Sequence, residues 1–126
     1  AWWGALGQGA CRREAGAVST IRVRARPAQG AVAVASRSHR DAETNAWLEA
    51  QGISETVSAG SSLKFCLVAE GKADVYPRFG PTMEWDTAAG DAVLRAAGGK
   101  VTTVDGAPFH YVKPGFRNPG FIAFGA

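Results

Sequence analysis

Hydrophobic residues in most of the chain recur in two alternating patterns, short runs typical of strands and longer runs with helical spacing. From residue 31 onward the predicted elements are a strand at 31–35, a helix at 41–51, a brief strand at 56–57, a helix at 63–70 capped by Ser61 or Ser62, a strand at 73–79, a helix beginning near Asp86, and strands at 100–104 and 121–124. Because strands and helices alternate, the sequence predicts an α/β fold with helices layered on a mixed sheet.

The first 26 residues show a different pattern, in which small, apolar and basic residues alternate around four glycines. This pattern predicts two strands joined by a turn near residues 14–16, followed by a linker at 27–30. We therefore expect two units, a strand-rich segment at 1–26 and an α/β domain at 31–126.

Composition and charge narrow the range of function classes. The formal net charge of +3 is modest, and the 14 Lys and Arg residues are mostly scattered, which argues against a nucleic-acid partner. No apolar run approaches the ~20 residues that cross a bilayer, so we expect a soluble protein without a transmembrane segment. Cys11 and Cys66 lack the spacing of a zinc site or a disulfide framework, and Cys66 lies in an apolar run typical of a core. This cysteine usage favours a cytoplasmic protein.

The strongest chemical signal is Asp86, which precedes a stretch of small and apolar residues ending at Gly98 and Gly99. A carboxylate at the start of such a helix lies beside backbone amides that have no intrahelical partner. This combination can hold a metal ion and a phosphate together. The alternative interpretation is that Asp86 only caps its helix, and the two roles are compatible.

Three polar turns, at residues 36–40, 58–62 and 83–87, follow predicted strands or precede predicted helices. In open α/β sheets ligands bind outside the carboxyl ends of strands, so these turns are candidates for one common site. Their hydroxyl groups and backbone amides, together with the nearby cations Lys64 and Arg78, are suited to binding phosphate.

Each candidate side chain also has a purely structural interpretation. Lys64 and Arg78 can be solvated cations whose stems cover apolar surface, and His39 can be a turn residue packed on the next helix. A lysine near the start of a helix is disfavoured by the helix dipole unless an anion is present, which favours a binding role for Lys64. For His110 we expect packing beside its aromatic neighbours, and for Trp85 we expect packing of the helix start against the core.

Several motifs resemble those of one enzyme family, and they occur in the family's order. The segment WDTAAGDAVLRAAGG at 85–99 resembles the C-terminal signature of the inositol-monophosphatase-like family of magnesium-dependent phosphatases. The segments GSSLKFCLVAEG at 60–71 and YPRFGPT at 76–82 are similar to its 3'(2'),5'-bisphosphate nucleotidase branch, as are SRSH at 36–39 and NPGF at 118–121. The resemblance covers the chain from about residue 20 to its end.

This resemblance implies a fold, a reaction and a set of residues. The fold is the C-terminal half of the inositol monophosphatase-like sugar-phosphatase fold, with residues 1–26 as remnant strands of an N-terminal sheet domain. The reaction is hydrolysis of 3'-phosphoadenosine 5'-phosphate to AMP and phosphate, a step linked to sulfur assimilation. Asp86 would be a catalytic metal ligand for magnesium, of which the complete enzyme holds two or three ions. The substrate would be bound by five side chains: His39, Ser61, Lys64, Arg78 and Asp86.

One part of the family pattern is absent from these 126 residues. The enzymes that the chain resembles carry a Glu and an Asp-Pro-Ile/Leu-Asp-Gly-Thr motif in an N-terminal half, and those carboxylates supply most of the metal ligands. We therefore expect this chain to correspond to the second half of such an enzyme, to require that N-terminal half, and to be inactive alone. The resemblance implies a cytoplasmic enzyme and is compatible with peripheral attachment to the cytoplasmic face of the inner membrane. Two alternatives stay open: an inositol-phosphate phosphatase, and a non-catalytic phosphate- or nucleotide-binding fragment.

Overall fold

The computed structural model describes residues 1–28, 30–35, 41–60 and 62–126. In chain order its elements are β1 (Trp2–Ala5), β2 (Gly9–Glu14), β3 (Ala17–Ile21), β4 (Val32–Ala35), α1 (Ala42–Ala50), β5 (Glu55–Ser58), α2 (Leu63–Ala69), β6 (Val75–Arg78), β7 (Thr82–Met83), α3 (Glu84–Ala96), β8 (Lys100–Thr103), a 3₁₀ turn (Pro114–Phe116), β9 (Arg117–Asn118) and β10 (Phe121–Phe124). None of the helices in this described part is long and apolar enough to cross a membrane.

The main sheet has five strands in the order β5-β4-β6-β10-β8. Strand β4 runs parallel to β5 and β6, whereas β10 runs antiparallel to β6 and β8. The sheet is therefore mixed, and the prediction of an α/β fold with helices on a mixed sheet is confirmed. Helices α2 and α3 pack against one another, and α2 also contacts strands β4, β6 and β10.

The N-terminal segment forms a separate antiparallel sheet of three strands in the order β1-β2-β3. The predicted turn near residues 14–16 is present, but the prediction of two strands was wrong because a second turn separates β1 from β2. Gly7 and Gly9 adopt φ values of +80° and +82° at that turn, a conformation that glycine reaches without steric cost. The assignment of residues 1–26 and 31–126 to two different domains stays a prediction.

Two close contacts join this small sheet to the rest of the molecule. An added Cβ on Gly4 of β1 would come within 2.7 Å of Ala96 Cβ on α3, so strand and helix backbones approach closely there. At the end of α2, the buried carboxylate of Glu70 accepts a hydrogen bond from the Trp2 indole and pairs with Arg12 at 3.3 Å. The N-terminal strands are thus anchored on both helices of the core.

The centre of the core is a cluster of aromatic rings between α2 and the main sheet. Phe65 of α2 stacks on Phe121 of β10 with a centroid separation of 5.6 Å, and Tyr76 of β6 meets both rings edge-on at 5.2 and 5.5 Å. Cys66 is buried beside this cluster, as predicted for a core cysteine. Burial, together with the charge of Glu70, raises the pKa of its thiol to about 11, so the thiol stays protonated at neutral pH.

The long helix α3 begins two residues earlier than expected. Its first residue is Glu84, and Asp86 is the third residue of the helix rather than the residue before it. Trp85 has 70% of its surface exposed, so the prediction that it packs the helix start against the core was wrong. Because Glu84 and Thr87 occupy the inward positions of the first turn, the intervening Trp85 faces solvent.

Small residues on α3 allow helices α2 and α3 to approach closely. An added Cβ on Gly90 would meet Phe65 Cδ2, Cγ and Cβ at 2.5, 2.8 and 2.9 Å. Contacts this short are repulsive, and the Phe65 Cβ cannot swing away because it is fixed to the α2 backbone. Gly90 therefore determines how near α3 lies to α2.

Gly90→Ala should destabilise the protein. Alanine improves helix propensity by up to ~1 kcal/mol, but overpacking against Phe65 costs about 1–3 kcal/mol or more, so we expect a net loss of about 1–2 kcal/mol. Urea unfolding measures this loss. In a Phe65→Ala background, which removes Cγ and Cδ2 and leaves only the Cβ contact, the same substitution should cost less. An equal cost in both backgrounds would show that Gly90 is required for another reason.

Candidate active site

Three segments of the chain meet around a pocket of about 210 Å³. They are the first turn of α2, the end of β6 with the loop that follows it, and the first turn of α3. The pocket is lined by Ser62, Lys64, Phe65, Tyr76, Arg78, Pro81, Thr82, Asp86 and Thr87. It lies where β6 ends and a helix begins, which is the position that the sequence predicted for a ligand site. We refer to it as the Lys64–Asp86 pocket.

Lys64 is almost completely buried at the start of α2, with 6% of its surface exposed. Its ammonium nitrogen lies 5.6 Å from the centroid of the Tyr76 ring, and no carboxylate pairs with it among the described residues. Burial, together with the neighbouring Arg78, lowers the pKa of Lys64. A buried cation without a counter-ion is costly, and a bound anion would offset that cost.

Arg78, the last residue of β6, contributes a second positive charge to the same pocket. Its Nε atom is buried and has no hydrogen-bond partner in the described part of the chain. Guanidinium groups bind phosphate and carboxylate through several directed N–H donors, so an unpaired buried donor suits an anionic ligand. Because Lys64 and Arg78 come from different elements, the fold itself brings the two cations together.

Asp86 faces the pocket from the first turn of α3. One of its carboxylate oxygens, Oδ2, accepts a hydrogen bond of 2.9 Å from the backbone N–H of Met83 and so completes the helix start. The other oxygen, Oδ1, has no hydrogen-bond partner among the described residues, and the side chain is exposed. The carboxylate therefore caps the helix with one oxygen while the other stays available to a ligand.

The structure thus brings three of the predicted site residues, Lys64, Arg78 and Asp86, into one pocket. The other two, His39 and Ser61, lie outside the described residues. Ser62 lines the pocket and precedes α2, but its side chain makes no capping hydrogen bond to the helix. His110 is exposed rather than packed, so that expectation was wrong. The functional roles of the predicted residues stay predictions.

The donor set fits one edge of a magnesium site. Within the described ranges no group of three or more His, Cys, Asp or Glu residues lies close enough to hold a metal ion. Magnesium in phosphate-binding sites is usually held by one or two carboxylates together with phosphate oxygens and water. Asp86, with its free oxygen and the phosphate-type pocket beside it, suits that arrangement as a single protein ligand.

Glu84 is a residue of this region that the sequence analysis missed. It is 8% exposed, and its carboxylate accepts hydrogen bonds from the backbone amides of Val112 and Lys113 at 3.0 and 2.9 Å and from Lys113 Nζ at 2.7 Å. Burial opposes its charge, but the hydrogen bonds from Lys113 and Val112 prevail and lower the pKa of Glu84. Its partner loop lies 28 residues away, so no local pattern could have revealed this contact.

A second missed feature is a chain of polar contacts behind the pocket. Asn118 donates to the hydroxyls of Thr82 and Thr87, and the Tyr111 hydroxyl donates to the buried carboxylate of Asp91 at 2.7 Å. The Asp91 carboxylate also pairs with an arginine one turn later on α3, Arg95, at 2.6 Å. These contacts hold the first two turns of α3 against the loop at 111–118.

Glu84→Gln should reduce stability in a pH-dependent manner. A carboxyl group whose pKa is lowered by folding stabilises the fold above its unfolded pKa, and this stabilisation is lost as the pH falls through the folded pKa. The difference in thermal midpoint between wild type and Glu84→Gln should therefore be largest above about pH 5 and shrink in more acidic buffer. Glu49→Gln on the exposed surface of α1 is the matched control and should show little difference at any pH. A difference that does not vary with pH would mean that Glu84 acts through packing alone.

Comparison with known proteins identifies the family of this chain. The profile of the inositol monophosphatase family matches residues 1–120. The 3'(2'),5'-bisphosphate nucleotidase CysQ of Escherichia coli strain K12 is 54% identical over 114 residues, which cover 89% of this chain and 45% of that protein. An uncharacterized protein from the pss 5' region of Rhizobium leguminosarum bv. phaseoli is 61% identical over 85 residues, covering 63% of this chain and 90% of that protein.

Solved structures agree with this assignment. The crystal structure of CysQ from Bacteroides thetaiotaomicron superimposes with a TM-score of 0.80 at 42% identity, covering 94% of this chain and 51% of that one. Staphylococcal IMPase-II, at 18% identity and a TM-score of 0.71, shares the fold. The chain spans about half the length of the CysQ proteins from Escherichia coli and Bacteroides thetaiotaomicron, 45% and 51% respectively. The chain belongs to the inositol monophosphatase family.

Proposed function

We propose that this chain forms the substrate-binding part of a magnesium-dependent 3'(2'),5'-bisphosphate nucleotidase. The observation that carries the proposal is the convergence of Lys64, Arg78 and Asp86 on one pocket. The similarity to the 3'(2'),5'-bisphosphate nucleotidase CysQ of Escherichia coli supports the nucleotidase assignment over other members of the family. The substrate would be 3'-phosphoadenosine 5'-phosphate, with AMP and phosphate as products.

The two cations suit a substrate with two phosphate groups. Lys64 and Arg78 have no carboxylate partner among the described residues, so their charges are available to the ligand. Asp86 repels a phosphate unless a metal ion stands between them, whereas the cations attract one directly. We infer that Lys64 and Arg78 bind the phosphate that is not cleaved and that Asp86 lies beside the phosphate that is. His39 and Ser61 would complete the binding of the nucleotide.

Asp86 would be the residue of the described part that holds magnesium. Bound magnesium supplies Lewis-acid activation of water and neutralises charge on the phosphate and the leaving oxygen. Asp86 is suited to this role because the Met83 amide fixes the carboxylate through a single oxygen and leaves the other free. Since one carboxylate is too few for a site with several ions, we infer that the remaining ligands come from a preceding N-terminal domain. On this proposal the 126 residues alone are inactive, and β1 to β3 are the last strands of that domain's sheet.

Asp86→Asn in the natural full-length protein should abolish phosphate release from the bisphosphate nucleotide. Asparagine retains an oxygen that can accept the Met83 hydrogen bond, but it lacks the charge that magnesium requires. Thermal unfolding should change little, whereas turnover should fall by several orders of magnitude. The matched control is Asp105→Asn, which changes a carboxylate in an exposed turn outside the pocket. Normal turnover with an unchanged magnesium requirement would show that Asp86 is only a helix cap.

Lys64→Ala should discriminate between nucleotidase and inositol-phosphatase activity. A charged hydrogen bond to the second phosphate implies a loss of about ten- to a hundredfold in kcat/KM for bisphosphate substrates. Hydrolysis of inositol monophosphate, which has no second phosphate, should barely change. Lys100→Ala is the control, because Lys100 also lies over an aromatic ring, Phe124 at 5.3 Å, but on the exposed surface. Equal losses on both substrates would assign Lys64 to the reacting phosphate or to the fold.

A further inference from the structure

Thr82 lines the Lys64–Asp86 pocket from strand β7, and its hydroxyl is held from behind by a buried side chain. The Asn118 Nδ2 atom donates to Thr82 Oγ1 at 3.1 Å and to Thr87 Oγ1 at 3.0 Å. Asn118 lies on β9, which pairs with β7 so that Asn118 and Thr82 stand opposite each other. The backbone pairing and the side-chain hydrogen bond therefore both hold Asn118 against Thr82.

The orientation of the Asn118 amide follows from the hydrogen bonds of Thr87. The Thr87 hydroxyl donates its single proton to the backbone carbonyl of Glu84 at 3.3 Å, so its oxygen accepts from Asn118 and, at 3.4 Å, from the Tyr111 hydroxyl. The amide must then direct its N–H₂ group, not its oxygen, toward both threonines. The chosen orientation leaves Asn118 Oδ1 buried without a partner in the described ranges, whereas the opposite one would bury both amide protons without these acceptors, which is the more costly arrangement.

This orientation determines what Thr82 can offer to the pocket. Because Thr82 Oγ1 already accepts from Asn118, its own proton must point elsewhere, and the Thr82 hydroxyl donates no hydrogen bond within the described residues. Two other groups of the pocket wall that lack a partner there, the Lys64 ammonium and the Arg78 Nε–H, are also donors, whereas Asp86 Oδ1 is an acceptor. A phosphate group only accepts hydrogen bonds when fully ionised, so three convergent donors match it.

We propose that the Thr82 hydroxyl is a third donor to the substrate phosphate, and that Asn118 is the positioning residue that turns its proton toward the pocket. The proposal rests on the nucleotidase function proposed above and adds a contact to those that the two cations supply. The Thr82 hydroxyl differs from the two cations because it can donate to a phosphate oxygen without carrying a charge of its own.

The test measures binding of adenosine 3',5'-bisphosphate to the natural full-length protein by titration calorimetry. Calcium replaces magnesium in the buffer so that the substrate is bound but not hydrolysed during the titration. Thr82→Val removes the hydroxyl but keeps the branched shape, and we expect affinity to fall by about tenfold or more. Thr82→Ser keeps the hydroxyl and should stay within about threefold of wild type. Thr102→Val, at a half-buried threonine of β8 outside the pocket, should have no effect on binding. Thermal unfolding checks that each variant is folded.

If Thr82→Val binds the nucleotide as tightly as wild type does, the proposal for Thr82 is wrong, but the nucleotidase function still stands. Absence of binding by wild type would overturn both. The loss of affinity caused by Asn118→Ala should largely disappear in a Thr82→Val background, because the hydroxyl that Asn118 positions is already absent there. Additive losses would show that Asn118 acts on the fold instead. If Asn118→Ala does not fold, Asn118→Asp is compared in the same two backgrounds, where the added charge is common to both.

Discussion

The contact between Gly90 and Phe65 sets the distance on which the pocket depends. Helix α2 carries Lys64 beside Phe65, and α3 carries Asp86 one turn before Gly90. Because the Phe65 ring lies directly against the Gly90 backbone, the two helix starts are held at a separation that no larger residue would allow. The same ring stacks on Phe121 of the main sheet at 5.6 Å, so helix spacing and sheet position are coupled through one side chain. The opposite charges of the pocket are therefore placed by packing of apolar groups.

Packing alone does not explain why two cations without a carboxylate partner among the described residues are retained there. Lys64 is nearly inaccessible and lacks a carboxylate partner in the described ranges, and Arg78 leaves a buried donor unpaired. Both arrangements cost stability when no anion is bound. Elsewhere the fold pairs its buried charges: Asp74 binds Arg24 through two hydrogen bonds of 2.9 and 2.7 Å. On the proposed function, a bound substrate phosphate would offset the cost at the pocket.

Local sequence patterns predicted the order of strands and helices in the α/β region, including the final strand at 121–124 and a first helix near 41–51. They also predicted that Lys64, Arg78 and Asp86 lie near the ends of elements, and the structure brings these three to one pocket. The start of α3 was misplaced because Asp is a residue type that often caps helices. Asp86 is instead the third residue of the helix, where its carboxylate reaches back to the Met83 amide. The third N-terminal strand was missed because Gly7 and Gly9 lie within a short, weakly alternating stretch.

Contacts between residues far apart in sequence were beyond any local pattern, and they determine the direction of each polar group around α3. Glu84 turns inward to bind the loop at 112–113, whereas Asp86, two residues later, turns toward the pocket. A helix places residues two apart about 200° from each other, so one turn can present one carboxylate to the scaffold and another to a ligand. The inward carboxylate is neutralised by Lys113, which leaves the outward one as the negative charge that the α3 start offers to the pocket. A positively charged metal ion beside Asp86 would thus encounter a carboxylate that the Met83 amide holds in place and that no cation of the scaffold neutralises within the described residues.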